Sequence, residues 1–165
     1  MNKTILSFEI EGVGYGMPLE AIREVCLPIP CIAVPKASPV VQGLINLRGD
    51  LVLLLDMAWW LHGKAQTATA SSRILLMKQQ TIEATGFLVD SLGEVRDVHG
   101  SDLGPVVGSV DEKKPTESAQ ALISGLCKWG DRTISMIDPQ KMPEELAKIM
   151  SDFEGKNPKG RQGRE

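Results

Sequence analysis

One strand–turn–strand unit occurs twice in this chain, and the duplication restricts the fold more than any other feature. Gly43-Leu-Ile-Asn-Leu-Arg-Gly-Asp50 leads to Asp56, and Gly125-Leu-Cys-Lys-Trp-Gly-Asp131 leads to Asp138. In both copies the opening glycine and the closing aspartate lie thirteen positions apart. Each copy reads as a strand, a tight Gly-Asp turn, a second strand, and an aspartate capping a short helix. A second pair recurs in the same order. Gly16-Met-Pro-Leu-Glu-Ala-Ile-Arg-Glu-Val25 and Gly86-Phe-Leu-Val-Asp-Ser-Leu-Gly-Glu-Val95 share the glycine, the acid/hydrophobe alternation and the closing Glu-Val. Two matches in one order imply two related β-units. Neither unit supplies many core residues alone, so the two are expected to share a core.

Glycines and prolines punctuate the rest, with short β-branched or Leu-rich runs between them. That is the pattern of small barrels rather than of βαβ units. About ten strands are expected: 5–10, 14–17, 22–27, 43–47, 50–55, 73–78, 81–89, 93–98, 122–128 and 132–137. Helical signals are few. Asp56 can cap a helix over Met57–His62, and Asp138-Pro139 places an N-cap before a favoured first-turn proline. Pro143–Met150 then reads as a helix, with acid at its start and Leu146, Ile149 and Met150 on one side. Gly63–Ser72 reads as a flexible loop, and Ser101–Gln120 as a solvated loop with room for a helical turn. The organisation expected is one domain over residues 1–150, of two intertwined barrel units, with a disordered tail over 151–165.

Composition narrows the function. A chain of 165 residues buries about 70% of its unfolded surface and holds its own core. The net charge is −3, so no basic excess is present to neutralise phosphates, and nucleic acid is not an expected partner. A small-barrel nucleic-acid binder stays open as an alternative class, with Trp59, Trp60 and Trp129 as its only stacking platforms. Cys26, Cys31 and Cys127 are odd in number and form no CxxC, which argues against a disulfide framework. The N-terminus does not read as a signal peptide, and Leu51–Leu61, broken by Asp56, is too short to span a bilayer. A cytosolic protein without membrane insertion is expected.

No catalytic constellation is legible. GxSxG, HExxH and Walker A motifs are missing, so neither an enzyme nor a metal or cofactor site is expected. Gly12-Val-Gly14-Tyr-Gly16 is read as a hairpin turn, since Pro18 rather than a helix follows. His62 and His99 are expected to be isolated and solvent-facing. Cys127 is expected to point inward. An unfamiliar hydrolase ranks last, for want of a base and nucleophile. The polar group that stands out is Arg48. Asn46, Gly49 and Asp50 satisfy a turn, and an arginine adds nothing a hairpin requires. Two readings stand side by side: a solvated turn residue or bridge to Asp50 or Asp56, and a partner contact using the planar multi-donor guanidinium.

With these residues in view, Gly43-Leu-Ile-Asn-Leu-Arg-Gly-Asp-Leu-Val-Leu-Leu-Leu-Asp56 resembles the signature of the CheW family of chemosensory adaptors. Tyr15–Val25, Gly86–Asp90 and Ile123–Asp138 resemble its flanking segments in order, over about residues 4–142. The resemblance implies a mostly β fold of two five-stranded SH3-like barrels about a shared hydrophobic core, with short helices and a C-terminal helix. It implies a non-enzymatic, cofactor-free cytoplasmic scaffold at membrane-bound receptor arrays. Such a scaffold joins the regulatory domain of a CheA-type histidine kinase to the cytoplasmic helical hairpin of chemoreceptors. It also forms rings with that kinase domain through barrel-to-barrel contacts. By motif, Ile22, Glu24, Arg48 and Gly86 fall where the family meets receptor or partner. The expectation is a receptor helix in a groove between barrels, with Ile22 as apolar contact and Glu24 and Arg48 setting orientation. Gly43, Asn46, Leu47, Gly49 and Asp56 complete the motif as shapers of the turn and cap. Leu53 stands where the family usually has proline, and Met57-Ala58-Trp59-Trp60 where it has an early arginine. These departures leave room for a specialised relative serving a pilus or surface-motility chemosensory system. Of the two tryptophans, one is expected to close a barrel end.

Overall fold

A computed structural model describes residues 2–106 and 117–156. The duplicated unit forms twice. β4 (Val41–Leu47) and β5 (Asp50–Leu55) make one antiparallel hairpin, and β10 (Ile123–Trp129) and β11 (Arg132–Ile137) make the other. Both hairpins shift register at the same place, between Val41 and Gly43 and between Ile123 and Gly125. Asp56 then accepts a hydrogen bond from the Trp59 N–H and starts α1 (Met57–His62). Asp138 does the same for the Gln140 N–H at the 3₁₀ turn Pro139–Lys141.

The other strands are β1 (Lys3–Ile10), β2 (Val13–Pro18), β3 (Ile22–Cys26), β6 (Arg73–Met77), β7 (Thr85–Val89), β8 (Ser91–Val98) and β9 (Leu103–Gly104). They assemble into two sheets, ordered β8-β1-β2-β11-β10-β9 and β3-β6-β7-β5-β4. Each sheet has one parallel pairing. β5 meets β7 with Leu54 opposite Gly86, and β11 meets β2 with Met136 opposite Gly16. Leu54 and Met136 are the same position of the repeat, as are the two glycines. The internal similarity is therefore a repeat of three-dimensional pairing.

Burial follows the repeat too. Ile45, Leu47, Val52 and Leu54 pack into a core private to the five-stranded sheet. Their counterparts Cys127, Trp129, Ile134 and Met136 pack into one private to the six-stranded sheet. The alternate strand face feeds a shared core, where Phe8, Tyr15 and Met17 of one sheet meet Leu55, Leu75 and Phe87 of the other. The Phe8 and Phe87 rings lie 5.8 Å apart across that seam. Strand alternation makes this possible, because successive residues point to opposite faces.

Three helices cap the shared core. α1 buries Met57, Ala58, Trp60 and Leu61. Trp60 donates its ring N–H to Ser118 of α2 (Glu117–Leu122), and Trp59 is half-buried against the same core. α3 spans Met142–Lys156. The expected tail is thus corrected at its start: Ser151–Lys156 continues the helix, because Leu146, Ile149 and Met150 already anchor this stripe on the core. Residues 157–165 lie outside the described residues. The expected 101–120 loop is corrected at its start by β9, α2 supplies the helical turn it had room for, and its middle lies outside the described residues. The strand expected over 81–89 starts only at Thr85, because Thr81 and Ile82 turn back on the Lys78 carbonyl.

Candidate partner-binding face at the first hairpin tip

Arg48 sits at the tip of the β4–β5 hairpin with φ +52°, followed by Gly49 at +91°. Two positive φ values between paired Leu47 and Asp50 define a type I′ turn. The Asn46 side-chain oxygen accepts the Gly49 N–H at 2.9 Å and fixes it. Leu47 is buried below. The second hairpin is equally long, so Gly130, at φ +63°, holds the position of Arg48. A left-handed non-glycine residue costs about 1–2 kcal/mol, which the second copy avoids. The first copy carries that strain at an exposed arginine, and strain kept at an exposed site is a pointer to function.

Arg48 bridges neither Asp50 nor Asp56. Its guanidinium pairs with the Glu24 carboxylate on β3. β3 and β4 are the two ends of the strand order, so this pair helps the sheet close on itself. The Ile32–Leu44 bridge, with N–H···O bonds of 2.7 and 2.8 Å, closes it further along. Arg48 remains 64% exposed and Glu24 30%. Val25, Leu27 and Leu51 flank them with exposed apolar surface. The tip thus presents exposed apolar side chains beside an exposed guanidinium.

The other expected contact residues do not reach this face. Ile22 is 7% exposed and packs in the shared core. Gly86 is buried in β7, where an added Cβ would meet Leu76 at 3.0 Å and the Leu75 carbonyl oxygen at 3.1 Å. Both pack in the interior: sequence shows their types but not which sheet face turns to the core. Gly43 likewise makes room for backbone, as Ile32 O would lie 2.6 Å from its Cβ.

Asp56 is a buried carboxylate with two duties. One oxygen takes the Trp59 N–H and the other takes the Gln66 N–H, both at 2.9 Å. Burial raises its carboxyl above the ordinary value near 3.8, against those backbone bonds, which lower it. A raised folded value means stability that is complete below the unfolded value and lost as pH rises through the folded one. Asp56→Ala is expected to cost about 2 kcal/mol at neutral pH, from the lost cap and one orphaned N–H. Urea titrations across the mildly acidic range should show the gap from wild type narrowing as pH rises.

His62 is also corrected. Its side chain is 5% exposed, with Nδ1 3.0 Å from Glu11 and Nε2 2.6 Å from the Tyr15 hydroxyl. Cys127 is buried, as expected, and burial pushes its thiol up, toward the unreactive form. Among the described residues no cluster of His, Cys, Asp or Glu could hold a metal ion. None of their helices is long and apolar enough to cross a membrane.

A cleft of about 760 Å³ opens where the two sheets meet. Lys3, Ile5 and Pro18 line it from the β1–β2 hairpin, and Glu20, Ala21 and Lys78 from the opposite side. Neither Glu24 nor Arg48 belongs to it. A groove between the barrels is expected from the sequence, but with Ile22, Glu24 and Arg48 at it; none of the three lines this cleft, whose walls come from segments far apart in the chain.

Comparison with known proteins converges on one family. A family model described as a CheW-like domain matches residues 4–147. A chemotaxis protein CheW from Thermotoga maritima is 29% identical over 142 residues, 86% of this chain and 88% of that protein. One from Helicobacter pylori is 26% identical over 132 residues, 80% of this chain and 76% of that protein. The crystal structure of the scaffolding protein TtCheW from Thermoanaerobacter tengcongensis superposes with a TM-score of 0.71 at 23% identity, covering 86% of this chain and 88% of that one.

Proposed function

The chain belongs to the CheW-like domain family, and from that premise we propose that it is a non-enzymatic chemotaxis scaffold joining a chemoreceptor to a CheA-type histidine kinase. A bridge needs two separate surfaces. The cleft between the sheets has the concavity that a helical hairpin requires, and we assign it to the receptor's cytoplasmic tip. The hairpin tip, with exposed apolar side chains beside an exposed guanidinium, suits a folded partner, and we assign it to the kinase regulatory domain. The observation that carries the second assignment is Arg48, held exposed in a strained turn where the sister hairpin uses glycine. Charge at Arg48 orients the partner, while Val25, Leu27 and Leu51 supply apolar area.

The test is assembly from purified parts. The full chain should bind a receptor cytoplasmic hairpin fragment and a kinase regulatory domain together, giving a ternary complex by light scattering. Binding to neither partner would sink the reading. Competition between them would sink the two-surface assignment.

A further inference from the structure

The two sheets meet along a seam, and its two ends differ. At one end lies the cleft. At the other is a closed polar circuit that uses charged residues from both units. Asp56 starts α1 and His62 ends it. His62 Nδ1 lies 3.0 Å from the Glu11 carboxylate, and the Tyr15 hydroxyl is hydrogen-bonded to His62 Nε2 at 2.6 Å. The Glu11 backbone N–H donates to Asp90 at 2.6 Å. Asp90 also accepts from the Gln66 side chain at 2.8 Å, and the Gln66 N–H returns to Asp56 at 2.9 Å. Lys64 lies 4.0 Å from the other Glu11 oxygen.

Every member bridges something. Glu11 is the turn of the β1–β2 hairpin in one sheet, and α1 follows β5 of the other. Asp90 is the single residue between β7 and β8, where the chain crosses from sheet to sheet. Glu11 and Gly12 both hold positive φ, +51° and +78°, in a turn of the same kind as that of Arg48. A glutamate there is strained as Arg48 is, and strain persists only where surroundings over-determine it. The Asp90 bond to its N–H and the His62 bond to its side chain do that. The carboxylates, the imidazole and the phenol of the circuit are each hydrogen-bonded, and of its polar atoms the Gln66 side-chain oxygen alone is buried without a partner among the described residues; a network joined this way rigidifies what it links.

The hairpin that carries Glu11 at its turn carries Lys3, Ile5 and Pro18 at its open end, in the wall of the cleft. The distance between is roughly 25 Å, eight residues of strand. We infer that the Tyr15–His62–Glu11–Asp90 circuit is a clamp that fixes the β1–β2 hairpin at one end of the seam and thereby sets the width of the cleft at the other. Its members are positioning residues: none lines the cleft.

The experiment measures cleft width and does not depend on what the cleft binds. Lys3→Cys and Lys78→Cys place spin labels on opposite walls, both exposed, in a chain whose reachable thiols are removed by Cys26→Ser and Cys31→Ser. Pulsed dipolar spectroscopy should give one narrow distance distribution. His62→Ala should broaden it and shift its mean by several ångströms, and Tyr15→Phe, which removes one hydroxyl, should do so to a smaller extent. Lys64→Ala should leave it unchanged. If His62→Ala does not fold, Tyr15→Phe decides alone. A folded Tyr15→Phe protein with the wild-type distribution overturns the inference and leaves the circuit a role in stability only.

Discussion

Gly43→Ala and Gly125→Ala should each lower the stability of the chain by about 2–3 kcal/mol, in the range of overpacked interiors. The two glycines open the two copies of the repeat, and each lies under a passing backbone. An added Cβ at Gly43 would stand 2.6 Å from Ile32 O, and one at Gly125 would stand 2.5 Å from Gly104 O. A carbonyl oxygen cannot swing away as a side-chain tip can. Relief requires the closing segment to lift, which at Gly43 endangers the two Ile32–Leu44 hydrogen bonds. At Gly125 the segment at risk is β9, which pairs with Leu126 through Gly104. Both glycines also sit at register shifts, where a strand bends and glycine marks close approach. Urea denaturation measures the effect. Gly104→Ala is the control, because nothing lies within 4 Å of its added Cβ. If Gly43→Ala matched that control, the closing contact would contribute nothing to holding the sheet shut.

Those two glycines also show how far the sequence could be read. The hairpin repeat was legible because its punctuation has local causes: glycine at the bulge, a two-residue turn, an aspartate whose side chain caps the next N–H. A pattern with local causes survives in one dimension. Placement on the sheet face does not. Ile22 and Arg23 are neighbours, and only the position of the shared core decides that Ile22 is buried and Arg23 exposed. The same holds for Gly86, which packs against Leu76 from a different strand. His62 was misjudged because its partners stand 51 and 47 positions away, beyond any window of periodicity. For the helix Glu117–Leu122 the sequence left only room for a helical turn, without bounds, because its order comes from tertiary contacts of Ala119 and Leu122 with the core. Arg48 was the reverse case. It stood out because the local turn did not require it, and the structure turns that surplus into a measurable strain.

Arg48→Glu should weaken binding of the kinase regulatory domain by more than tenfold while leaving the fold nearly untouched. The variant sets two carboxylates together at the tip, but both are partly solvated, so the loss in stability should stay within about 1 kcal/mol. A partner surface that docks a guanidinium would instead meet a carboxylate. Like charges brought together across an interface cost several kcal/mol, enough for a loss well beyond tenfold. Two further variants separate a structural pair from a presented cation. Arg48→Gly restores the residue that the sister hairpin uses, removes the left-handed strain and should leave stability within about 1 kcal/mol of wild type. It should still lose binding. The exchange Glu24→Lys with Arg48→Glu rebuilds the internal ion pair with reversed polarity. If Arg48 served only to hold β3 against the hairpin, the exchange would restore binding along with the pair. If the partner reads the guanidinium, stability returns and binding does not, because the fork now stands as a carboxylate and a lysine cannot reproduce its planar donors from the other strand. Calorimetric titration of each variant against the kinase domain, beside its urea midpoint, tells these outcomes apart. Recovery of affinity in the exchanged chain would return Arg48 to the scaffold.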